Sequence, residues 1–170
     1  MKSIVLRRLK VSDCTTEYFE WMLDEYNRSV ISTLVNIDTF DDLLESTISR
    51  ILDPSCSLIG IFNNNEHIGN MQARIIGPSS CILSILIGRK EHRGRGVGLK
   101  SLSIFLKSRD LWPCVYNNIT FYASIKVSNY ASIRLFESAG FRLRITPEWP
   151  QSLSTLEKEE DCVLYEYTFH

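Results

Sequence analysis

Apolar residues along the chain follow two recurring patterns, short apolar runs and one-sided stripes, and these predict strands and helices. The runs indicate strands at 4–9, 57–62, 67–76, 81–87, 119–125, 141–145 and 162–169. The stripes indicate helices that begin near Thr16, Thr39, Val97 and Asn129. Most strands follow one another as hairpins, with helices inserted at intervals. The pattern therefore predicts an α+β fold around one mixed sheet.

Local signals set the bounds of the second predicted helix. Thr39 can cap its start, with the acidic Asp42 three residues later as in a capping box. Asp53 precedes Pro54, and because a residue before proline avoids the helical conformation, the helix is expected to end there. Its predicted buried stripe consists of Leu44, Ile48, Ile51 and Leu52.

Charge and cysteine content narrow the function classes. The chain has 170 residues and a formal net charge of −1, so its charge indicates neither a nucleic-acid nor a membrane partner. No apolar run reaches the ~18 residues that a membrane span needs. The five cysteines are scattered without a C-x-x-C pair, which predicts a reduced, cytoplasmic protein. We expect a monomer or a homodimer, without a metal.

The segment 81–110 joins a buried strand to an amphipathic helix through a loop that is rich in glycine and arginine. Three alternate glycines, Gly94, Gly96 and Gly98, remove the Cβ atoms that would keep a ligand from the backbone. The free N–H groups of a first helical turn, together with the helix dipole, favour an anion. Arg93 and Arg95 add positive charge suited to phosphate. The loop therefore predicts a pyrophosphate site.

Two other phosphate loops fit this segment less well. A Walker A loop needs a lysine directly after its last glycine, and here Leu99 separates Gly98 from Lys100. In a dinucleotide fingerprint the third glycine comes one residue later than it does here. The plain alternative is a glycine-rich turn that only caps a helix, but such a turn needs neither the third glycine nor both arginines.

Two motifs carry a resemblance to a known family. Arg93, Gly96 and Gly98 match the acyl-CoA loop Q/R-x-x-G-x-G/A, and the run 129–141 matches N-x-x-S/A-x-x-L/F-[YF]-E-x-x-G-F. On these motifs the chain resembles the GCN5-related N-acetyltransferases over nearly its whole length. The branch it resembles contains ribosomal-protein-alanine N-terminal acetyltransferases and many small-molecule acetyltransferases. The resemblance implies a single domain over 1–170, with a largely antiparallel sheet of about seven strands, splayed in the middle, and about four helices.

The resemblance also implies acetyl-CoA as cosubstrate, held where the sheet splays, between the strand ending at Ile87 and the strand from Ile119. The backbone of Ile85, Leu86 and Ile87 would pair with the pantetheine arm, and the Ile87 N–H would polarise the thioester carbonyl. Backbone N–H groups of the loop would bind the pyrophosphate. Those loop residues are Arg93, Gly94, Arg95, Gly96, Val97, Gly98 and Leu99.

Acetyl transfer to an amine needs an uncharged amine and a proton for the departing thiolate. Many family members have a glutamate in the strand that is 82–87 here, where only Ser84 is polar, and a tyrosine near Phe136, which cannot donate a proton. By resemblance, Ser132 could supply that proton and Asn129 could contact the pantetheine or a catalytic water. Ser132 can equally be a helix residue without a catalytic part. The contenders for the general base, besides water in a desolvated site, are Glu20, Asp24, Glu25, His67, His92 and Glu148.

By resemblance, the acceptor would lie between the segments 29–38 and 146–160. Trp21 and Trp149 are candidates for apolar or sugar-stacking contacts with it, although Trp21 can instead belong to the core. The predicted reaction moves acetyl from acetyl-CoA directly to a primary amine, in a ternary complex. The acceptors considered are small molecules, including nucleotide-linked amino sugars, and protein N-termini. The alternative is a non-catalytic acyl-CoA-binding sensor or structural module.

Overall fold

The computed structural model describes residues 3–30, 37–113, 119–145 and 161–169. These residues form one open seven-stranded sheet, in the order β1-β2-β3-β4-β5-β7-β6, with five α-helices. The strands are β1 Ile4–Arg8, β2 Cys56–Asn63, β3 Glu66–Gly77, β4 Ser80–Ile87, β5 Thr120–Lys126, β6 Arg142–Leu143 and β7 Cys162–Thr168. The helices are α1 Thr16–Leu23, α2 Glu25–Val30, α3 Phe40–Leu52, α4 Val97–Lys107 and α5 Tyr130–Ser138. The predicted mixed fold is confirmed.

The described residues contain one helix more than expected, because the first predicted helix is divided in two. α1 ends at Leu23, and Asp24 has an extended backbone with φ −61° and ψ 124°. The Asp24 carboxylate then accepts a hydrogen bond from the Asn27 backbone N–H at 3.1 Å. Since this bond satisfies one of the unpaired N–H groups at a helix start, it begins α2 in a new direction.

The start of α3 follows the prediction, but its buried face follows it only in part. Thr39 and Asp42 form the expected capping box. The buried residues are Leu43 and Thr47, whereas Leu52 is 74% exposed. The prediction is confirmed for Ile51, which packs against the cluster of Leu43, Leu58 and Tyr18. It is wrong for Leu52, and the fully buried positions come one residue before Leu44 and Ile48, because the helix turns Leu43 towards Leu58 of β2 and Tyr18 of α1.

The core lies on both faces of the sheet. In β2, Leu58 packs with Tyr18, Trp21 and Leu43 in one cluster, whereas Ile59 belongs to a larger cluster that includes residues of α4 and β5. Because successive side chains of a strand point to opposite faces, α1 and α3 cover one face and α4 covers the other. Among the helices of the described ranges, none is both long and apolar enough to cross a bilayer.

The sheet opens between β4 and β5. β4 pairs with β3 along its length, but it pairs with β5, in parallel, only through Ser80, Cys81 and Ile82. β5 meanwhile stays paired with β7 from Thr120 to Lys126. The carboxyl half of β4 is therefore left with one open edge, and the predicted splay in the middle of the sheet is confirmed.

Candidate active site

The open edge of β4 directs two sets of backbone groups into the gap. The Gly88 N–H donates to the Ile68 carbonyl of β3 at 3.0 Å, so Gly88 faces β3. Since alternate residues of a strand direct their N–H and C=O groups to opposite edges, Ile85 and Ile87 face away from β3. Beyond Ile82 no described strand pairs with that edge. The N–H groups of Ile85 and Ile87 are thus turned into the gap, the orientation that a pantetheine contact requires. The backbone groups of Leu86, which was predicted with them, face β3 instead.

The glycine loop leads into α4 with an unusual backbone. Gly94 has a φ of +68° and Gly96 a φ of +73°, the left-handed region that glycine adopts without strain. A Cβ placed on either glycine would meet nothing within 4 Å, so the space beside both is open. Gly96 is the N-cap of α4, and no side chain caps that helix start.

The amides of this loop are unused within the described protein. The first helical bond runs from the Lys100 N–H to the Gly96 carbonyl at 3.0 Å. The N–H groups of residues 94–99 donate to no acceptor among the described residues. Six adjacent donors at a helix start make a site for an anion with several oxygens, because the helix dipole adds to their partial charges.

Arg93, by contrast, is engaged within the protein. Its backbone N–H donates to the Lys90 carbonyl at 3.1 Å. Its guanidinium donates to the carbonyls of Ile87 at 2.9 Å and Gly88 at 2.6 Å, and to Asn27 Oδ1 at 2.9 Å. Both groups that were expected to serve the pyrophosphate are therefore occupied. Arg93 instead joins the end of β4 to α2.

A cavity of about 390 Å³, here called the loop cavity, lies between the glycine loop, the end of β4 and α5. It gathers most of the predicted acyl-CoA residues: Ile85, Leu86, Ile87, Arg93, Gly94, Gly96, Val97, Gly98, Leu99, Asn129 and Ser132. Arg95 is exposed and is not among the lining residues. The arrangement suits a long ligand with an anionic end at the loop.

The sequence reasoning missed other residues that line the loop cavity. Tyr26, Asn27 and Val30 come from α2, which was not foreseen as a separate helix. Ala131, Arg134 and Ser138 share one face of α5. Their spacing of three and four residues was a usable signal, because such residues lie on the same side of a helix. Arg134 thereby brings a positive charge to the cavity.

Asn129 and Ser132 start α5 at the inner end of the loop cavity. Asn129 Oδ1 accepts from the Ser132 backbone N–H at 3.1 Å, so Asn129 is the N-cap of the helix. Ser132 therefore lies in the first turn of α5, as the alternative interpretation expected. The capping role alone is enough to account for an asparagine at position 129, without a catalytic role. Neither the Asn129 amide nitrogen nor the Ser132 hydroxyl has a hydrogen-bond partner within the described ranges. Both groups stay available to a ligand.

A second cavity, here called the sheet cavity, adjoins the first. It measures about 280 Å³ and is lined by residues of β3, β4, β5 and α3, among others. The two cavities share Val30, Ile85, Leu86, Asn129 and Ser132. A group held at the inner end of the loop cavity and a group in the sheet cavity would therefore meet beside Ser132 and the open edge of β4.

None of the general-base contenders among the described residues lines the sheet cavity. Asp24 is held at 2.9 Å by Lys90, and this hydrogen bond, followed by that from the Asn27 N–H, lowers the pKa of its carboxyl. His67 does not line the cavity but contacts two residues that do: Asn70, whose Oδ1 lies 2.8 Å from His67 Nε2, and Tyr18, and burial lowers the pKa of His67. His92 lines the loop cavity. Glu20 and Glu25 line neither cavity, and Glu148 lies outside the described residues.

Tyr18 and Trp21 of α1 are both buried. Burial raises the pKa of the Tyr18 hydroxyl to about 12, so that it stays protonated in the wall of the sheet cavity. Trp21 is 6% exposed and covers Gly88, where an added Cβ would lie 2.2 Å from the indole. This packing accounts for Trp21 as a core residue, and its position gives the predicted acceptor contact no support. Trp149 lies outside the described residues.

Metal ligation finds no support in the described ranges, where no group of three or more His, Cys, Asp or Glu side chains is placed to hold an ion.

Comparisons with solved structures identify the fold. A domain from Methanocaldococcus jannaschii aligns with a TM-score of 0.74 at 19% identity, over 99% of this chain and 100% of that one. Spermidine N-acetyltransferase from Vibrio cholerae, solved with CoA and spermine, aligns with a TM-score of 0.74 at 18% identity, over 97% and 95%. Aminoglycoside acetyltransferase AAC(6')-Ib, solved with coenzyme A and kanamycin, aligns with a TM-score of 0.71 at 19% identity, over 98% of this chain and 95% of that one.

Sequence comparisons identify the family. No curated protein matches the chain. A family model described as FR47-like protein matches residues 58–150, which is more than half of the 170 residues and includes β4, the glycine loop, α4 and α5. The chain therefore belongs to the FR47-like protein family, and its fold is that of the GCN5-related acetyltransferases.

Proposed function

We propose that this protein is an acetyl-CoA-dependent N-acetyltransferase that acts on a primary amine. Within the acetyltransferases we assign it, on the signature that contains Ser132, to the branch with the ribosomal-protein-alanine enzymes and many small-molecule enzymes. Its acceptor is a small molecule, a class that includes nucleotide-linked amino sugars, or a protein N-terminus. We further propose a cytoplasmic protein, monomeric or homodimeric, that needs no metal.

One observation carries the proposal: the unused amides of Gly94 and residues 96–99 and the open edge of β4 line the same cavity. The amides and the positive end of the α4 dipole suit the diphosphate of coenzyme A. The extended pantetheine arm suits the N–H groups of Ile85 and Ile87, which it can meet as a neighbouring strand would. The acetyl group then arrives where the loop cavity and the sheet cavity join.

The chemistry follows from that junction. The Ile87 N–H donates to the thioester oxygen and stabilises the charge that develops there as the amine attacks. A new C–N bond forms and the C–S bond breaks. The attacking nitrogen gives up a proton to water, since none of the described residues lining the sheet cavity is a carboxylate or a histidine. The Ser132 hydroxyl supplies a proton to the thiolate and is reprotonated by water.

The loop assignment is tested by calorimetric titration of acetyl-CoA into the Gly96→Glu variant. A carboxylate at this position would repel the diphosphate, and a residue other than glycine strains the left-handed backbone, so affinity should fall at least about 100-fold. Gly96→Asn is the matched control, because asparagine tolerates that conformation and carries no charge; it should keep more of the affinity. Micromolar binding by a folded Gly96→Glu variant would contradict the site.

Turnover separates an enzyme from a binding module. The assay measures CoA release from acetyl-CoA with a panel of amines, alongside acetyl-CoA binding by calorimetry. Binding together with release supports the acetyltransferase. Binding without release for any amine would favour the alternative, an acyl-CoA-binding module. If acetyl-CoA does not bind at all, both the acetyltransferase and the acyl-CoA-binding module are ruled out.

A further inference from the structure

Among the residues that the structure describes, those lining the sheet cavity carry charge of one sign. The charged ones are Arg50 from α3, Arg74 from β3 and Lys126 from β5. No described carboxylate is among the lining residues. An acceptor site for a polycation needs carboxylates, because like charges repel strongly where water is partly excluded. The described wall of this cavity is positively charged instead.

The three cations differ in how far they are already neutralised. Arg74 donates to the Asp53 carboxylate at 2.9 Å, so its charge is partly balanced from outside the cavity. Lys126 donates to the Ser29 carbonyl at 3.4 Å. Arg50 is half-buried and has neither a hydrogen bond nor an ion pair within the described part of the chain. Its guanidinium is the group in this wall that is open to a new anionic partner.

Neutral groups extend the same recognition surface. Gln72 of β3 and Ser84 of β4 are register partners, and both line the sheet cavity. Each can donate a hydrogen bond to an anionic oxygen. A guanidinium with neutral donors nearby is a common arrangement for binding carboxylate or phosphate, since arginine presents two parallel N–H groups to two oxygens.

Resting on the proposed function, we infer that the amine acceptor also carries an anionic group, a carboxylate or a phosphate, which Arg50 binds in the sheet cavity. The anion would hold one end of the acceptor there, and the amine would reach the junction beside Ser132. Such an acceptor contrasts with the cationic acceptors that acidic sites select. Arg50 thus acts as a specificity residue that touches the acceptor, away from the acyl-CoA loop.

The test compares amines that differ only in the anion. 4-Aminobutyrate is paired with its amide for a carboxylate source, and glucosamine 6-phosphate with glucosamine for a phosphate source, with a linear triamine as the polycation. CoA release is measured for wild type and for Arg50→Gln, Arg50→Lys and Lys107→Gln. Lys107 is exposed near the end of α4 and controls for loss of one positive charge. Binding of each amine to the CoA-loaded protein is measured by calorimetry.

In wild type, the anionic member of at least one pair should have a kcat/KM higher by about tenfold or more, mainly through a lower KM. The pair that shows the preference identifies the anion as carboxylate or phosphate. Arg50→Gln should bring the two members of that pair within about threefold of each other, without changing acetyl-CoA affinity. Arg50→Lys should keep part of the preference, and Lys107→Gln should keep all of it.

Preference for the neutral amines or the triamine would overturn the inference, as would equal loss for both members of a pair in Arg50→Gln. If no amine releases CoA, the proposed function fails, and the binding measurements still decide the inference. Tighter binding of an anionic member that depends on Arg50 supports an anion site in the sheet cavity. Equal binding of both members refutes it.

Discussion

At the scale of single residues, Arg93 shows how one side chain can belong to a binding loop without binding the ligand. Its guanidinium reaches two carbonyls at the end of β4 and the side chain of Asn27, which is fully buried. Asn27 in turn donates through Nδ2 to the Trp21 carbonyl at 2.8 Å. Arg93 therefore fixes α2, β4 and the loop relative to one another, and we regard it as a positioning residue.

We predict that Arg93→Ala lowers the free energy of unfolding by about 3 kcal/mol, because it leaves the buried Asn27 oxygen and two carbonyls without their donor. Acetyl-CoA affinity should fall with it, since the loop loses its anchor to β4. Urea unfolding and calorimetry measure the two effects. Arg95→Ala is the control: this exposed arginine should change stability by less than about 0.5 kcal/mol. Equal effects at the two positions would contradict the anchoring role.

At the scale of elements, helix starts supply most of the candidate site. α4 starts at a glycine that provides no side-chain cap, and it offers backbone amides. α5 is capped by the Asn129 side chain and offers side chains. The difference follows from residue type: a glycine leaves the N–H groups of the first turn without a side-chain acceptor, and an asparagine satisfies one of them. The first start suits a diphosphate and the second suits the reacting groups.

We predict that the two roles of Asn129 can be separated. Asn129→Ala loses the cap and should cost about 1 kcal/mol of stability, whereas Asn129→Asp keeps an oxygen for the Ser132 N–H and should not. Both variants lose the amide donor, so both should lower kcat. Ser132→Ala leaves the cap intact and should lower kcat by about 100-fold, with acetyl-CoA affinity unchanged. Wild-type kcat in Asn129→Asp would reduce Asn129 to a structural cap.

Local chemistry explains which elements could be predicted. Some helix bounds follow from the sequence because they depend only on residues close together in the chain. Examples are the capping box at Thr39, the asparagine cap at Asn129 and the left-handed Gly140 (φ 93°). The glycine loop is local in the same sense. Contacts between residues far apart in the chain could not be predicted from the sequence alone. The hydrogen bond from Arg93 to Asn27 joins residues 66 positions apart. The buried face of α3 likewise depends on what packs against it.

At the scale of the whole molecule, an aromatic cluster around His67 joins α1 to the sheet. The imidazole lies 4.9 Å from the rings of Trp21 and Phe62 and 5.4 Å from Tyr18, measured between centroids. Its Nδ1 is buried and has no hydrogen-bond partner among the residues that the structure describes. A protonated imidazole would need an acceptor for both N–H groups, so the folded protein holds His67 neutral, with a pKa that burial lowers.

This cluster makes global stability depend on pH in a defined direction. An unfolded histidine takes up a proton near pH 6.5, whereas folded His67 does so only at a lower pH. The unfolded state therefore binds more protons in this window, and stability present above about pH 6.5 is lost as the pH falls towards the folded pKa. The neighbouring Asp13 does not titrate there, because Arg7 holds the pKa of its carboxyl below the usual range.

We predict that the free energy of unfolding of wild type decreases between pH 7 and pH 5, with a contribution from His67 of up to about 1.4 kcal/mol per pH unit. His67→Gln has no titrating group at this position, so its slope should be smaller by that contribution, whatever its stability at pH 7. Urea unfolding at pH 7, 6 and 5, on both proteins, measures the two slopes. Parallel slopes would mean that His67 titrates alike in the folded and unfolded chains, and the link between this aromatic cluster and acid stability would be lost.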